Sequence, residues 1–131
     1  MLYREILKFQ TEPNKNVDIT DKIIDIVKNC DITDGICHLF LKGTTAGLLL
    51  NEDCAMLLGD FKNLFEKVAP ADKLYQHPDN AYSHLRASML KSELSIPVAD
   101  KNLLLGTWQR IMLMEFDTKK REREIIVTLF L

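Results

Sequence analysis

The sequence predicts an α+β fold, a β-sandwich of mainly antiparallel strands with two or three short helices. Three observations predict it. The chain has 131 residues, 47% of them hydrophobic and 27% charged, which is typical of one globular domain. Its C-terminal third carries apolar residues on both faces of extended segments. A segment near the middle has the apolar spacing of an amphipathic helix. The sequence therefore predicts a single domain over residues 1–131.

The first third of the chain predicts three strands and one helix. Residues 2–11 predict a strand, because apolar residues stand between charged neighbours. Thr20 predicts the N-cap of a short helix, whose apolar residues fall at helical spacing: Ile19, Ile23 and Val27. Residues 36–41 and 46–50 predict two further strands, separated by the small residues Gly43-Thr44-Thr45.

Two helices are predicted in the middle of the chain. The clearer one follows Asn51 or Asp53, either of which is a suitable N-cap. Its apolar residues fall at i, i+4, i+7, i+8 and i+11, which predicts one buried stripe: Leu57, Phe61, Leu64, Phe65 and Val68. Asn80 predicts the cap of a second helix over residues 81–90. Residues 95–98 predict a short strand, which its proline confines to a sheet edge or a strand end.

The last third predicts two long strands, residues 104–116 and 123–131, joined by a charged turn at residues 117–120. In the first strand, Trp108 and Met112 would share one face. Strands that are apolar on both faces must be covered on both faces. Because the chain has few helices, this pattern predicts two packed sheets with some outer surface buried against other subunits.

The charge and the cysteine content indicate which partners and which cellular compartment to expect. Seventeen basic and nineteen acidic side chains give a formal net charge of -2, which predicts no attraction to nucleic acid or to a membrane surface. No apolar run is long enough to span a bilayer, and Glu5 is unsuited to a secretory signal. Three cysteines without a CxxC motif predict free thiols and a reduced, cytoplasmic compartment.

Histidine is the usual metal ligand and general base, and the chain has three. His38 alternates with apolar residues in a strand and is interpreted as a core or interface residue. His77 and His84 are seven residues apart, but Pro78 interrupts the helix between them. His77 therefore lies on a loop that can fold back over the helix turn carrying His84. The pair predicts a shared metal or catalytic site, and two structural histidines are the alternative.

Four other groups are candidates for ligand contacts. Gly43-Thr44-Thr45 can present backbone N–H groups and hydroxyls to an anion, or can be a plain turn. Glu52 can serve as a base or metal carboxylate, or as helix N-terminal charge. Arg121 and Arg123 point to the same side of a strand and can clamp a phosphate, or remain a solvated pair. Trp108-Gln109 can form a stacking platform, or belong to the core.

The order of these motifs along the chain resembles the YjbQ-like family, known as secondary thiamine-phosphate synthase enzymes. The resemblance runs from about residue 3 to the C-terminus, and its most specific segment is Leu105-Gly106-Thr107-Trp108-Gln109. The other segments are Gly43-Thr44-Thr45-Ala46, Asn51-Glu52, Tyr75-x-His77, Asn80-x-x-x-His84, Ile96-Pro97-Val98, Glu115-Phe116-Asp117 and the final Arg-x-Arg strand.

The resemblance implies an α+β sandwich that assembles as a homotrimer, with its site at a subunit boundary. It also implies a weak thiamine-phosphate synthase activity, which joins hydroxymethylpyrimidine diphosphate to thiazole phosphate and releases pyrophosphate. A divalent metal, zinc or magnesium, would be held by His77 and His84. Glu52 and His84 would be catalytic. The phosphorylated small molecule would be contacted by Thr44, Thr45, Asn80, Trp108, Gln109 and Arg123.

One departure from the family pattern leads to two alternative hypotheses about function. The family usually has histidine before Thr-Thr-Ala, where this chain has Gly43. One of three presumed metal ligands is therefore absent. The first hypothesis is a synthase of weak activity. The alternative is a non-catalytic, trimeric ligand-binding or interaction protein with a degraded metal site.

Overall fold

Eight strands and three helices form two antiparallel sheets in the computed structural model, which describes all 131 residues. The elements, in chain order, are β1 (Leu2–Thr11), β2 (Asn16–Asp18), α1 (Thr20–Asn29), β3 (Gly35–Leu41), β4 (Ala46–Asn51), α2 (Ala55–Val68), α3 (Ala81–Ser88), β5 (Glu93–Ala99), β6 (Asn102–Leu103), β7 (Arg110–Glu115) and β8 (Arg121–Phe130). The larger sheet has the order β1-β8-β3-β5-β6, and the smaller one β2-β7-β4. The predicted α+β fold with mainly antiparallel strands is confirmed.

The main core lies between the two sheets. Inward side chains of β8 and β7, such as Ile125, Val127 and Leu113, are completely buried there. Helix α1 closes one end of this core through its predicted apolar residues, because Ile19, Ile23 and Val27 are at most 1% exposed. These positions follow from period 2 in strands and period 3.6 in helices.

A second, smaller core lies on the other face of the smaller sheet. Helices α2 and α3 contribute Leu58, Phe65 and Ala87, which pack against Met112, Met114 and Phe116. The rings of Phe65 and Phe116 meet edge to face, with their centroids 5.0 Å apart. Strand β7 is therefore covered on both faces, as its apolar sequence predicts. None of the three helices is both long enough and apolar enough to cross a membrane.

The predicted strand over residues 104–116 is more than twice as long as the observed one, which has 6 residues. Strand β7 begins at Arg110, and residues 104–109 form a loop. The backbone N–H of Gln109 donates to the Gly106 carbonyl at 3.1 Å, and the Gly106 N–H donates to Gln109 Oε1 at 2.7 Å. This local turn satisfies polar groups that a strand would pair with a neighbour. Trp108 is 71% exposed and does not share a strand face with Met112.

The helix boundaries also differ from the predicted ones. Thr20 is the first residue of α1 rather than its cap, and its hydroxyl donates to Asp18 Oδ1 at 2.6 Å. Helix α2 begins after Cys54, so neither Asn51 nor Asp53 caps it. Asn80 does precede α3, but its side chain makes no capping hydrogen bond, and the helix ends at Ser88 rather than at residue 90.

The predicted buried stripe of α2 is only partly buried. Leu58 and Phe65, seven residues apart, face the smaller sheet. Leu64 and Val68 are 50% and 60% exposed. The helix is therefore rotated relative to the predicted stripe, and part of its apolar surface stays uncovered.

Candidate functional site

His77 and His84 lie in contact. Their ring centroids are 5.1 Å apart, with the rings inclined at 63°. His84 is on α3 and half-buried, and His77 is exposed on the loop that follows α2. The loop folds back over the helix as the break at Pro78 predicts. The spacing of seven residues is thereby reduced to direct contact between the two imidazoles.

A mainly apolar cavity of about 310 Å³ opens beside the two histidines. Its other walls are Tyr75, Gln76, Ala81 and Leu85. Tyr75 holds the loop in place, because its hydroxyl donates to the Pro70 carbonyl at 2.7 Å. Pockets of this size and polarity are typical of small-ligand sites.

Arg86 fixes α3 against the end of α2. Its Nε donates to the Ala69 carbonyl at 3.0 Å, and its Nη2 pairs with Glu66 at 2.5 Å. The guanidinium also lies 4.9 Å from the centre of the Tyr82 ring. The wall of the cavity that carries His84 is therefore anchored by a buried cation.

The donor set around the histidine pair does not fit a tightly held metal. Catalytic zinc takes three protein ligands and structural zinc takes four, while magnesium prefers oxygen. No group of three or more histidine, cysteine, aspartate or glutamate side chains is placed to hold an ion. Glu52 forms no ion pair with either histidine, and position 43 is glycine. Two imidazoles alone leave such a site incomplete.

A second polar centre is built from charges buried at the ends of β7 and β8. Glu115 and Arg123 form an ion pair in which Arg123 Nη2 lies 2.6 Å from Glu115 Oε2, and both side chains are at least 92% buried. Arg123 Nε donates to Glu115 Oε1 at 2.7 Å, and Thr11 donates to the same oxygen at 2.6 Å. Thr45 accepts from Arg123 Nη2 at 2.7 Å.

Asp117 and Arg121 extend this network. Thr45 donates its hydroxyl hydrogen to Asp117 Oδ2 at 3.1 Å, and Arg121 Nε donates to the same oxygen at 2.7 Å. Arg121 and Arg123, predicted to clamp a phosphate or to remain solvated, are each paired with a carboxylate of their own chain. Arg121 uses only its Nε in that pair, whereas Arg123 uses Nε and Nη2, so that only its Nη1 is free.

The pKa values of both carboxyl groups are lowered. Burial opposes ionisation of Asp117, but hydrogen bonds from Arg121, the Thr118 N–H and Thr45 outweigh it and lower its pKa to about 2. Burial likewise opposes ionisation of Glu115, and its pKa is nevertheless lowered by Arg123, Thr11 and the Asp117 N–H. Both groups are therefore carboxylates at neutral pH.

Gly43 borders this network at the surface. Its φ is +131°, a conformation that side chains with a Cβ rarely adopt. A Cβ added there would lie 2.6 Å from Arg123 Nη1. Position 43 therefore favours glycine for two reasons: the positive φ, and the lack of space for a Cβ beside the Arg123 guanidinium.

The remaining predicted site residues are dispersed. Thr44 is exposed beside Gly43. Gln109 folds onto Gly106, and Trp108 projects into solvent. The Asn80 carbonyl accepts the Ser83 N–H at 3.0 Å, so Asn80 supports the start of α3. No side-chain hydrogen bond joins these residues to the histidine pair, but the Asn80 carbonyl also accepts the His84 N–H at 3.4 Å.

Glu115 and Asp117 lie in a segment that contributes to the family resemblance, but the sequence predicts no role for them or for Thr11. One signal was present, because Glu115 is an acidic residue in an otherwise apolar segment, residues 111–116. A carboxylate in a fully buried strand requires a cation and hydrogen-bond donors. That requirement identifies Arg123 as its partner only once the strand order is known.

Comparison with known proteins assigns the family. The family model described as "UPF0047 protein YjbQ-like" matches residues 5–131. The chain belongs to the YjbQ-like UPF0047 family. A UPF0047 protein of Archaeoglobus fulgidus is 39% identical over 88% of this chain and 94% of its own length. UPF0047 protein YjbQ of Salmonella typhimurium is 35% identical over 98% of both chains.

Solved structures of the family share the fold. A YbjQ-like protein of unknown function from Sulfolobus solfataricus superimposes with a TM-score of 0.88 at 31% identity, covering 98% of both chains. An uncharacterized YjbQ/UPF0047 protein from Clostridium acetobutylicum gives 0.85 at 29% identity, covering 95% of this chain and 99% of its own. None of these family members carries an activity in its name, so function has to be argued from the site.

Proposed function

We propose that this YjbQ-like protein acts on a phosphorylated small molecule, and that its reaction is a weak thiamine-phosphate synthesis. In this reaction the thiazole nitrogen displaces diphosphate from the methylene group of hydroxymethylpyrimidine diphosphate. The contact between His77 and His84 beside the apolar cavity of about 310 Å³ is the observation that carries the proposal. Two imidazoles beside an apolar cavity are suited to a flat, polar-edged ring with a charged leaving group.

The cavity and the histidines would have separate tasks. The apolar walls favour a ring stripped of water, and Tyr75 and Gln76 at the rim provide polar groups. Loss of diphosphate develops negative charge on the bridging oxygen. An imidazolium that donates a hydrogen bond or a proton to that oxygen stabilises the leaving group. We assign this task to His84, because α3 fixes it more firmly than the loop fixes His77.

The test is release of pyrophosphate from the two substrates. We expect release that depends on both substrates, and at least a tenfold loss in His84→Ala, typical of losing a general acid. His38→Ala is the matched control, because His38 pairs with Glu93 at 2.7 Å outside the cavity. Equal rates in His84→Ala and the parent, or no release by the parent, would refute the synthase proposal.

The second candidate is a non-catalytic ligand-binding or interaction protein. Gly43 and the two-histidine donor set favour it, because the third ligand that the resemblance implies is missing. Metal content separates the two candidates. Purified protein that has lost zinc and magnesium after dialysis, and releases no pyrophosphate when either is restored, would establish the second candidate. Stoichiometric metal that survives dialysis would exclude a degraded site.

A further inference from the structure

Three consecutive backbone N–H groups lack an acceptor in the loop between β3 and β4. Lys42 donates its N–H to the Glu124 carbonyl at 3.2 Å, but Gly43, Thr44 and Thr45 donate theirs to no atom of the chain. Thr45 is only 5% exposed. Backbone N–H groups at nearly buried residues almost always have a partner. Successive free N–H groups are also the feature from which anion-binding concavities are built.

The same loop is bordered by an unused guanidinium nitrogen. Arg123 is 93% buried, and its Nε and Nη2 are spent on Glu115 and Thr45. Nη1 has no partner within the chain and points toward Gly43, where a Cβ would lie 2.6 Å from it. The absence of a side chain at position 43 leaves this nitrogen uncovered. Nη1 thus lies beside the three free N–H groups, and the ion pair with Glu115 holds the guanidinium in place.

The charges around the loop are balanced. Anion binding there would therefore depend on positioned hydrogen-bond donors rather than on net positive charge. Glu115 is paired with Arg123, Asp117 with Arg121, and Glu124 with Lys42 at 3.1 Å. Each of these carboxylates is therefore neutralised by a cation, which reduces its repulsion of a bound anion. The donors are held by the network before any ligand arrives, which lowers the entropic cost of binding.

We propose that the Gly43–Thr45 loop and Arg123 Nη1 form an oxyanion site that binds a phosphate or diphosphate group without a metal. This inference deepens the proposed function, and it rests on that function only for the identity of the natural ligand. A tetrahedral phosphate offers several acceptor oxygens to donors that converge from a loop and a guanidinium. In this chain, glycine and guanidinium would thus perform the anion recognition that a bound metal would otherwise provide.

The first experiment uses the full-length parent protein. Pyrophosphate, inorganic phosphate and thiazole phosphate are titrated separately into ¹⁵N-labelled protein, with sodium chloride at matched ionic strength as the control. We expect saturable shifts of the Gly43, Thr44 and Thr45 amides and of the Arg123 side-chain signal. Stronger binding of thiazole phosphate would identify an ester as the ligand, and stronger binding of pyrophosphate would identify the diphosphate. No saturable shift below about 20 mM would overturn the site.

Variants test the assignment to Arg123. We expect Arg123→Lys to weaken pyrophosphate binding at least tenfold, because the ammonium cannot reach Glu115 and the loop with the same fixed fork. Gly43→Ala should weaken it similarly by covering Nη1. Arg110→Lys is the control, because Arg110 pairs with Asp18 at 2.8 Å at the opposite end of β7. Unchanged affinity in a folded Gly43→Ala protein would refute the geometry even if Arg123→Lys does not fold.

The two proposals fail independently. His38→Ala should bind pyrophosphate like the parent, because His38 pairs with Glu93 outside both sites. Binding without pyrophosphate release would retain the oxyanion site and reject the synthase. Pyrophosphate release with no shift at residues 43–45 would reject the oxyanion site and retain the synthase.

Discussion

Gly43 and Gly59 differ in whether their surroundings would accept a side chain. Gly43 has a φ of +131° and a guanidinium nitrogen where a Cβ would stand, whereas Gly59 lies in α2 with no atom within 4 Å of an added Cβ. We expect Gly43→Ala to lower the free energy of unfolding by about 1–3 kcal/mol, because a Cβ is strained there. Gly59→Ala should raise it by about 0.5–1 kcal/mol through helix propensity.

Urea unfolding of the two variants beside the parent measures both effects. Opposite signs are expected. A Gly43→Ala protein as stable as the parent would mean that the loop relaxes without cost, and the geometry at Arg123 would then have to be different.

Asp117 gives the protein a specific sensitivity to acid. Its pKa in the folded state is about 2, below the 3.8 of an ordinary aspartate. A lowered folded pKa contributes stability that is present above the unfolded value and is lost as pH falls through the folded one. We therefore expect the stability due to this carboxylate to disappear between about pH 4 and pH 2.

Asp117→Asn isolates that contribution. The variant should be less stable than the parent at pH 7, and the difference should narrow as the pH falls through this window. Urea midpoints recorded from pH 7 to pH 2.5 provide the measurement. Parallel curves for the two proteins would show that Asp117 is not held as a paired carboxylate.

Helix α2 separates buried from exposed apolar residues within one turn. Phe65 is 3% exposed and packs on Phe116, whereas its neighbour Leu64 is 50% exposed. We expect Phe65→Ala to cost about 3–5 kcal/mol of unfolding free energy. Leu64→Ala should change it by no more than about 0.5 kcal/mol. Thermal or urea unfolding decides, and similar losses in both variants would place the buried face of α2 elsewhere.

The elements that the sequence predicts well are those whose own pattern of apolar residues identifies them as strand or helix. Strand β1 and helix α1 fall where the pattern of residues 2–11 and the spacing of Ile19, Ile23 and Val27 predict them. Residues 104–109 misled the prediction, because apolar residues next to a real strand look like its continuation. Strand β7 begins only at Arg110, because a turn held by the Gln109 side chain and the Gly106 N–H precedes it. Strand propensity does not predict such a turn.

The candidate site divides in the same way. The contact between His77 and His84 followed from one proline, Pro78, and was predictable. The pairing of Arg123 with Glu115 was not, because Glu115 lies eight residues away on a strand of the other sheet. Long-range pairing decides which of its nitrogens remain free, and only the strand order reveals that pairing.

At the scale of the whole molecule, one sheet face is left uncovered. On the outer side of the larger sheet, two apolar rows cross β1, β8 and β3: Leu2, Phe130 and Ile36 form one, and Ile6, Ile126 and Phe40 the other. Leu2, Ile6, Phe40 and Phe130 are 41–61% exposed. A polar row of Arg4, Thr128 and His38 lies between the two apolar rows. Exposed apolar patches that are rimmed by polar residues often mark an interface. We propose that this face is buried in the predicted homotrimer.

Light scattering tests the assembly. We expect a mass near three times the 15.1 kDa chain, and we expect Phe40→Glu to shift the protein toward monomer because it places a charge in the apolar row. Leu74→Glu, at a 97% exposed loop position, is the control. A parent protein that stays monomeric at micromolar concentration would contradict the proposed interface.

The position of β8 in the larger sheet has a consequence for folding. In order of synthesis β8 follows every other strand, yet it lies between β1 and β3 and pairs with both. Its partners in β1 are about 110 to 128 residues away, as in the pair Leu2 and Phe130. Such distant pairings slow folding, because the chain must close a long loop before their contacts can form. Until β8 is inserted, β1 and β3 have open edges, and such edges can pair with strands of other chains.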